Sequence, residues 1–339
     1  MTTTTSLAAP VRPRRRRRAL SARLVRARLL AAAPITVVVS MVTFWLASLS
    51  PFDPLAAYLG SRFEKTSGAQ RKILAEQLGV DDSWIAVWGR WAGDVLLHWD
   101  WGQSRSMSRP VSEVLAERLP YTLLLAGTGL LIAVVLSLLL GVRAAWRPGS
   151  WTDRFATGLA YSMQGIPPFV VGLLAISVFS IGMGLPAGGV ANGGADPTAT
   201  SIATHLILPA SVLGLSQVPW LLLNVRSSVI AALAEDHVTA ARSRGLPDRT
   251  VVWKHALPAA LLPFVTVIGV RLPELVSGAL LVETVFSWPG LASATVGAAV
   301  DGDFPLLAAV TTVTCLVVLI GSALADAVYL LVDPRIDDV

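Results

Sequence analysis

The sequence predicts an all-α membrane protein with six transmembrane helices and a helical external loop between helices 1 and 2. Three observations carry that expectation. The 339 residues are 54% hydrophobic and only 14% charged, whereas soluble domains carry roughly 25% charged residues. Six segments, 29–50, 119–142, 157–182, 203–224, 259–282 and 304–331, approach or exceed the ~20 apolar residues that a ~30 Å hydrocarbon core requires. Finally, among the short connections, Arg and Lys occur in 143–156 and 225–258 and are absent from 183–202 and 283–303.

The first segment follows a cytoplasmic Arg-rich tail, residues 1–28, that holds Arg12, Arg14 to Arg18, Arg23, Arg26 and Arg28. Such an arm suits nucleic acid as well as a membrane surface. Here it runs straight into an apolar span, as the positive-inside rule describes, and the net charge of +5 is read that way. The apolar stretch of 29–50 exceeds that of a secretory signal and lacks a small-x-small cleavage site, so it reads as a retained anchor.

Residues 51–118 form the external loop domain. Thr66 to Leu78 reads as a short helix, with Ser67 as its N-cap and Gly79 as its stop. Asp81, Asp82 and Ser83 then precede Trp84, Trp88, Trp91 and Val95, which share one helical face. Tryptophan favours the membrane–water boundary, so this second helix is expected to lie on the outer leaflet.

Residues 119–336 hold the five remaining spans. Arg143, Arg147 and Arg154 lie in the loop around 143–156, and Arg226, Arg242, Arg244, Arg249 and Lys254 in the loop 225–258. The loops 183–202 and 283–303 contain no Lys or Arg. The positive-inside rule then places both termini and the 225–258 loop in the cytoplasm.

Two charges lie inside the fifth span. Arg271 and Glu274, three residues apart, share a helical face, and a mid-bilayer charge costs ~2.5–3.5 kcal/mol on insertion scales. The pair either lines a translocation cavity or is a self-satisfied ion pair. Pro167-Pro168, Pro209, Pro219, Pro263 and Pro273 mark the spans as sites of kinking, with static kinks the default. No chemistry-bearing constellation is apparent. Lys65, Lys72 and Lys254 follow no Walker A pattern, and His98, His205, His237 and His255 lack metal-ligand spacing. No nucleophile elbow is present, and the single Cys315 forms no internal disulfide.

The most informative stretch is EDHVTAARSRGLPDRTVVWKHALPAALLP, Glu235 to Pro263, a charged helix-prone insert between two apolar runs. Glu235 and Asp236 open a short helix and Arg242 and Arg244 close it, as the helix dipole favours. Gly245 supplies a left-handed stop, and Leu246-Pro247 blocks continuation. These residues resemble the cytoplasmic loop of the membrane-spanning subunits of binding-protein-dependent ABC importers. That loop reads E-A-A, three residues, Gly, nine residues, Ile-x-Leu-Pro. The matching positions are Thr239-Ala240-Ala241, Gly245 and His255-Ala256-Leu257-Pro258. The leading Glu and the Ile are replaced, which resembles the oligopeptide/dipeptide/nickel branch. VETVFSWPGL (282–291), GQSRSMSRPVSEVLAERLPYTLLL (102–125) and ALADAVYLLVDPRI (323–336) resemble the same branch.

The resemblance implies a type I ABC importer permease fold in the cell membrane, without catalysis and without a cofactor on this chain. ATP and Mg would be bound by two partner ATPase subunits. A second permease subunit would complete a heterodimer, and an external solute-binding protein would deliver di- or oligopeptides; no nucleic acid is involved. Ala240, Ala241 and Gly245 would form the docking core of the coupling helix, with Arg242 and Arg244 at its rim. Ala241→Glu is expected to abolish transport and leave folding intact. Glu283, Phe286, Trp288, Pro289 and Gly290 would lie beside the path or its gate, with Phe286 and Trp288 anchoring the turn at the interface. A nickel or metal-chelate importer of the same family is one alternative, and a stand-alone secondary transporter is another.

Overall fold

A computed structural model describes residues 14–50, 66–78 and 82–332 of the chain. Residues 1–13, Gly79, Asp81 and the stretch 333–336 therefore lie outside the described residues.

The Arg-rich tract continues without a break into the first span, forming α1 (Arg14–Ser48). In the long first connection, α2 (Gly68–Leu78) begins where Ser67 caps it. The Ser67 hydroxyl accepts the Gln70 N–H at 3.4 Å, and its carbonyl accepts the Arg71 N–H at 2.9 Å. The next helix, α3 (Trp84–His98), carries the expected aromatic stripe, but that stripe turns toward protein. Trp88 Nε1 donates to Ser40 Oγ of α1 at 3.0 Å, and Trp91 packs on Phe44 with ring centroids 5.3 Å apart. The exposed apolar residues of this region are Ile85, Leu96, Leu97 and Trp99 instead. An aromatic stripe gains more by covering α1 than by facing outward, because indole rings bury large areas when a partner surface is at hand.

A two-stranded antiparallel hairpin, β1 (Gln103–Ser104) with β2 (Arg109–Pro110), follows, and Ser104 pairs with Arg109. From it rises α4 (Val111–Trp146), whose 36 residues span about 54 Å at 1.5 Å per residue, so it extends well beyond the bilayer core.

The third span is not one helix. It consists of α5 (Trp151–Gln164) and α6 (Pro168–Ala175), the latter prolonged by a wide turn Ile176–Ile181, and the two arms meet at 104°. Pro168 has no N–H to bond back, and its ring holds the preceding Pro167 in extended backbone, so the helix restarts with Pro168 in its first turn. Proline alone does not produce this break. Pro209 and Pro219 lie inside the continuous α7 (Ala199–Leu233), where neighbours cover both. With the bent pair taken as one span, the described residues contain the six expected crossings.

After α7 comes the short α8 (Asp236–Ser243). Asp248–Thr250 and the wide turn Val251–Ala256 then lead into α9 (Leu257–Val285), which contains Pro263 and Pro273. The chain closes with α10 (Leu291–Val300) and α11 (Phe304–Val332). Helices α4, α7 and α9 pack side by side, α11 links α9 to α1, and α10 fills the outer end between α11, α9 and α4. Buried residues form three groups along this bundle. An inner group surrounds Val225, Val229, Val238 and Ala256, a middle group Leu213, Phe286 and Trp288, and an outer group Val111, Leu291 and Leu306.

Candidate functional site

At the inner end, α8 has two faces. Val238 and Ala241 are buried against Val251, Val252 and Ala256. Glu235, Asp236, Thr239, Ala240, Arg242 and Arg244 are exposed on the other side. The helix ends as its sequence suggests: Gly245 takes a φ of +77° and its N–H bonds to Arg242 O at 2.9 Å. Leu257 is half-buried and Pro258 exposed, at the point where the loop becomes α9. The Thr-Ala-Ala triplet is thus split, with Ala241 held by the chain's own core and Ala240 open. Ala241→Glu would bury a carboxylate beside Val251 and Val252, so its expected neutrality toward folding does not hold.

Close by, a buried ion pair ties two membrane helices together. Asp153, 4% exposed, receives Arg226 in a two-pronged contact, Nε to Oδ1 at 2.5 Å and a terminal nitrogen to Oδ2 at 2.9 Å. The Gly149 N–H adds a third bond at 2.7 Å, and Ser150 caps α5 by accepting the Asp153 N–H. Along the chain, Arg226 reads only as a topological charge, and nothing singles out Asp153. The one local signal is the Ser-x-x-Asp start of α5.

Midway along α9, Arg271 and Glu274 are paired as the helical spacing allows. Arg271 also lies over the Trp220 ring of α7, 4.1 Å from its centre. The Arg271 side chain is 15% exposed and that of Glu274 55%.

The outer hairpin, Val282 to Leu291, is organised inward. Phe286 and Trp288 are 1% and 0% exposed, so they are core residues and not interfacial anchors. Trp288 Nε1 donates to Tyr121 O at 3.0 Å, and the two rings meet edge to face at 5.9 Å. A buried partner for the indole N–H makes full burial of Trp288 cheap. Glu283 is wholly buried as well. Its Oε1 accepts the Thr122 hydroxyl at 2.7 Å, and its Oε2 accepts the Ala292 and Ser293 N–H groups at 2.8 and 3.1 Å, at the N-terminus of α10. Thr122 in turn accepts the Leu291 N–H at 2.7 Å, which leaves its own proton for Glu283. Glu283 lies just past the fifth apolar span, 259–282, and burial pushes its carboxyl above the ordinary value, against the opposing donors and Arg118. Gly290 lies directly over this carboxylate, where any Cβ would overlap it.

Arg118 donates to Gly290 O and Ser293 Oγ from the rim of a cleft of about 390 Å³. Met107, Glu283, Thr284, Ser287, Trp288, Pro289 and Val296 complete its wall. The hairpin 103–110 is held nearby by Asp303, whose Oδ2 accepts both Ser104 and Ser106 hydroxyls and the Arg105 and Ser106 N–H groups at 2.7–3.0 Å. Asp303 and Thr122 escape sequence reasoning, since each acts on a segment far away in the chain.

Comparison with known proteins follows the same outline. The chain is 34% identical to the oligopeptide transport system permease protein AppB of Bacillus subtilis over 91% of its own length and 98% of that protein's. It is 33% identical to a putative peptide permease protein of Brucella ovis, covering 91% and 97%. It is also 33% identical to the probable D,D-dipeptide transport system permease protein DdpB of Escherichia coli, covering 88% and 92%. Residues 133–338 match the family model described as binding-protein-dependent transport system inner membrane component. The chain, with its bundle of apolar helices and its two-faced loop helix, belongs to that family of inner-membrane permeases.

Proposed function

We infer that this chain is one of two membrane-spanning subunits of an ATP-driven importer that takes up di- or oligopeptides delivered by an external solute-binding protein. One observation carries the substrate class: relatives named for peptide transport are 31–34% identical to it over about nine-tenths of its length. Among the described residues, no arrangement favours nickel over peptide.

In this reading, ATP is bound and hydrolysed by two partner subunits, and this chain converts their closure into movement. The exposed face of α8, with Thr239, Ala240, Arg242 and Arg244, docks on an ATPase subunit. Its buried face, Val238 and Ala241, passes the push to Val251 and Val252 and so to the foot of α9. Gly245 and Pro258 bound the moving element, and Asp153–Arg226 keeps α5 and α7 travelling together. The N- and C-termini lie in the cytoplasm, and the outer hairpin lies on the side where solute arrives.

Affinity purification of the tagged chain from its native membrane, followed by mass spectrometry, tests the assembly. A second permease, ATPase subunits and a binding protein are expected to copurify, and ATP-dependent uptake of labelled trialanine by the reconstituted complex is expected. A lone chain or homo-oligomer without ATP-dependent uptake would sink the reading.

A further inference from the structure

Arg271 is the middle residue of the 29-residue α9, fourteen positions from either end. A charge there facing hydrocarbon would cost ~2.5–3.5 kcal/mol. Glu274 nonetheless presents over half of its side-chain surface outward, and so does Trp220 beside it. The strip continues along α7, where Gln217, Trp220 and Asn224 share one face, and the buried Oδ1 of Asn224 has no hydrogen-bond partner among the described residues. A mid-span face that exposes an acid and an indole over a largely covered guanidinium and two half-buried amides is not built for lipid. Water or protein must cover it in the assembled transporter.

The geometry says more about what it could hold. Arg271 is fixed from two sides, by Glu274 along its own helix and by the face of Trp220 from the next. If Glu274 turns away, the indole still holds the guanidinium in place. A solute with a carboxylate and an ammonium group can therefore enter by exchange. Its carboxylate takes Arg271, its ammonium takes Glu274, and neither protein charge is left unpaired in a low-dielectric span.

We propose that Trp220, Arg271 and Glu274 form a recognition site on the translocation path for zwitterionic solutes, reading the free termini of a passing peptide. This rests on the importer reading above and adds the residues and the chemistry that select the cargo. The alternative cover, a second permease packed dry against the strip, is separated from it by the test.

The experiment uses the whole complex in proteoliposomes, with this chain carrying Cys315→Ala and Glu274→Cys. A water-soluble cationic thiol reagent modifies a cysteine only where water admits the thiolate. The thiol introduced by Glu274→Cys should react at least about tenfold faster than one introduced by Leu131→Cys, at an exposed apolar position of α4. Protection is read instead at Gln217→Cys in the Cys315→Ala background, with Trp220, Arg271 and Glu274 all intact: trialanine supplied on its binding protein should slow its reaction about tenfold, and Glu274→Gln in the same background should remove the protection. A Glu274→Cys thiol that is inert both without ATP and in the ATP-trapped state would place the strip in a dry interface and overturn the proposal. Gln217→Cys labelling unaffected by trialanine would overturn it too. Failure of the unsubstituted complex to take up trialanine at all would instead strike the importer reading on which it stands.

Discussion

The hydroxyl of Thr122 donates to the carboxylate of Glu283 at 2.7 Å, joining α4 to the end of α9 across 161 positions of sequence. The same hydroxyl oxygen accepts the Leu291 N–H, so one side chain satisfies the buried acid and the first residue of α10 together. Thr122→Val keeps the shape and removes both bonds. Each buried group left without a partner costs roughly 1–3 kcal/mol, so thermal unfolding in detergent should begin several degrees lower. Thr128→Val, which loses only bonds to carbonyls of its own helix, should change little.

Glu283 also predicts a pH dependence. Its folded-state carboxyl is raised above the ordinary value of 4.5, chiefly by burial. The native protein then binds this proton more tightly than the unfolded chain does. The resulting stabilisation is complete below about pH 4.5 and is lost as pH rises through the raised value. Glu283→Gln has no proton to lose, so the wild type minus variant difference in melting temperature should shift toward the variant as pH rises. A difference constant from about pH 4 to about pH 8 would contradict this assignment.

The inner clamp behaves differently under substitution. Arg226→Ala leaves Asp153 ionised and buried with only the Gly149 N–H for company. Removing one partner of a buried pair costs about 3–5 kcal/mol, and partial exposure of Arg226 brings the expected loss nearer to about 2–3 kcal/mol. Asp153→Asn, which keeps the cap and part of the hydrogen bonding, should lose about half as much, measured by chemical unfolding of the purified chain.

Ala240 and Ala241 separate docking from folding. Ala240→Glu adds a charge on the exposed face of α8 and should leave the melting temperature unchanged while abolishing ATP-driven uptake. Ala241→Glu places the same charge against Val251 and Val252 and should lower stability by about 2 kcal/mol or more, in the range of roughly 1–3 seen for an unpaired buried polar group and above. Equal uptake by Ala240→Glu and wild type would show that this face of α8 makes no essential contact.

The helices were legible because their signals are local. Apolar runs of about 20 residues, the basic loops between them, Ser67 before α2 and Gly245 after α8 each act within a few positions of the element they shape. The aromatic residues were misplaced for the converse reason. Trp88, Phe286 and Trp288 are residue types that suit interfacial anchors, and only the neighbours brought by α1, α6 and α4 decide that they are covered.

The sequence by itself therefore determined the all-α membrane class, the number of crossings, the two-ended charge of α8 and the family, since periodicity, charge placement and motif spacing are read along the chain. The tertiary structure alone decided that Glu283 caps α10, that Asp153 grips Arg226, that Asp303 holds the 103–110 hairpin and that the third span turns through 104°. Each of those bonds joins residues that the chain brings together only after the helices have packed, and the angle between two helices is set by what both arms pack against.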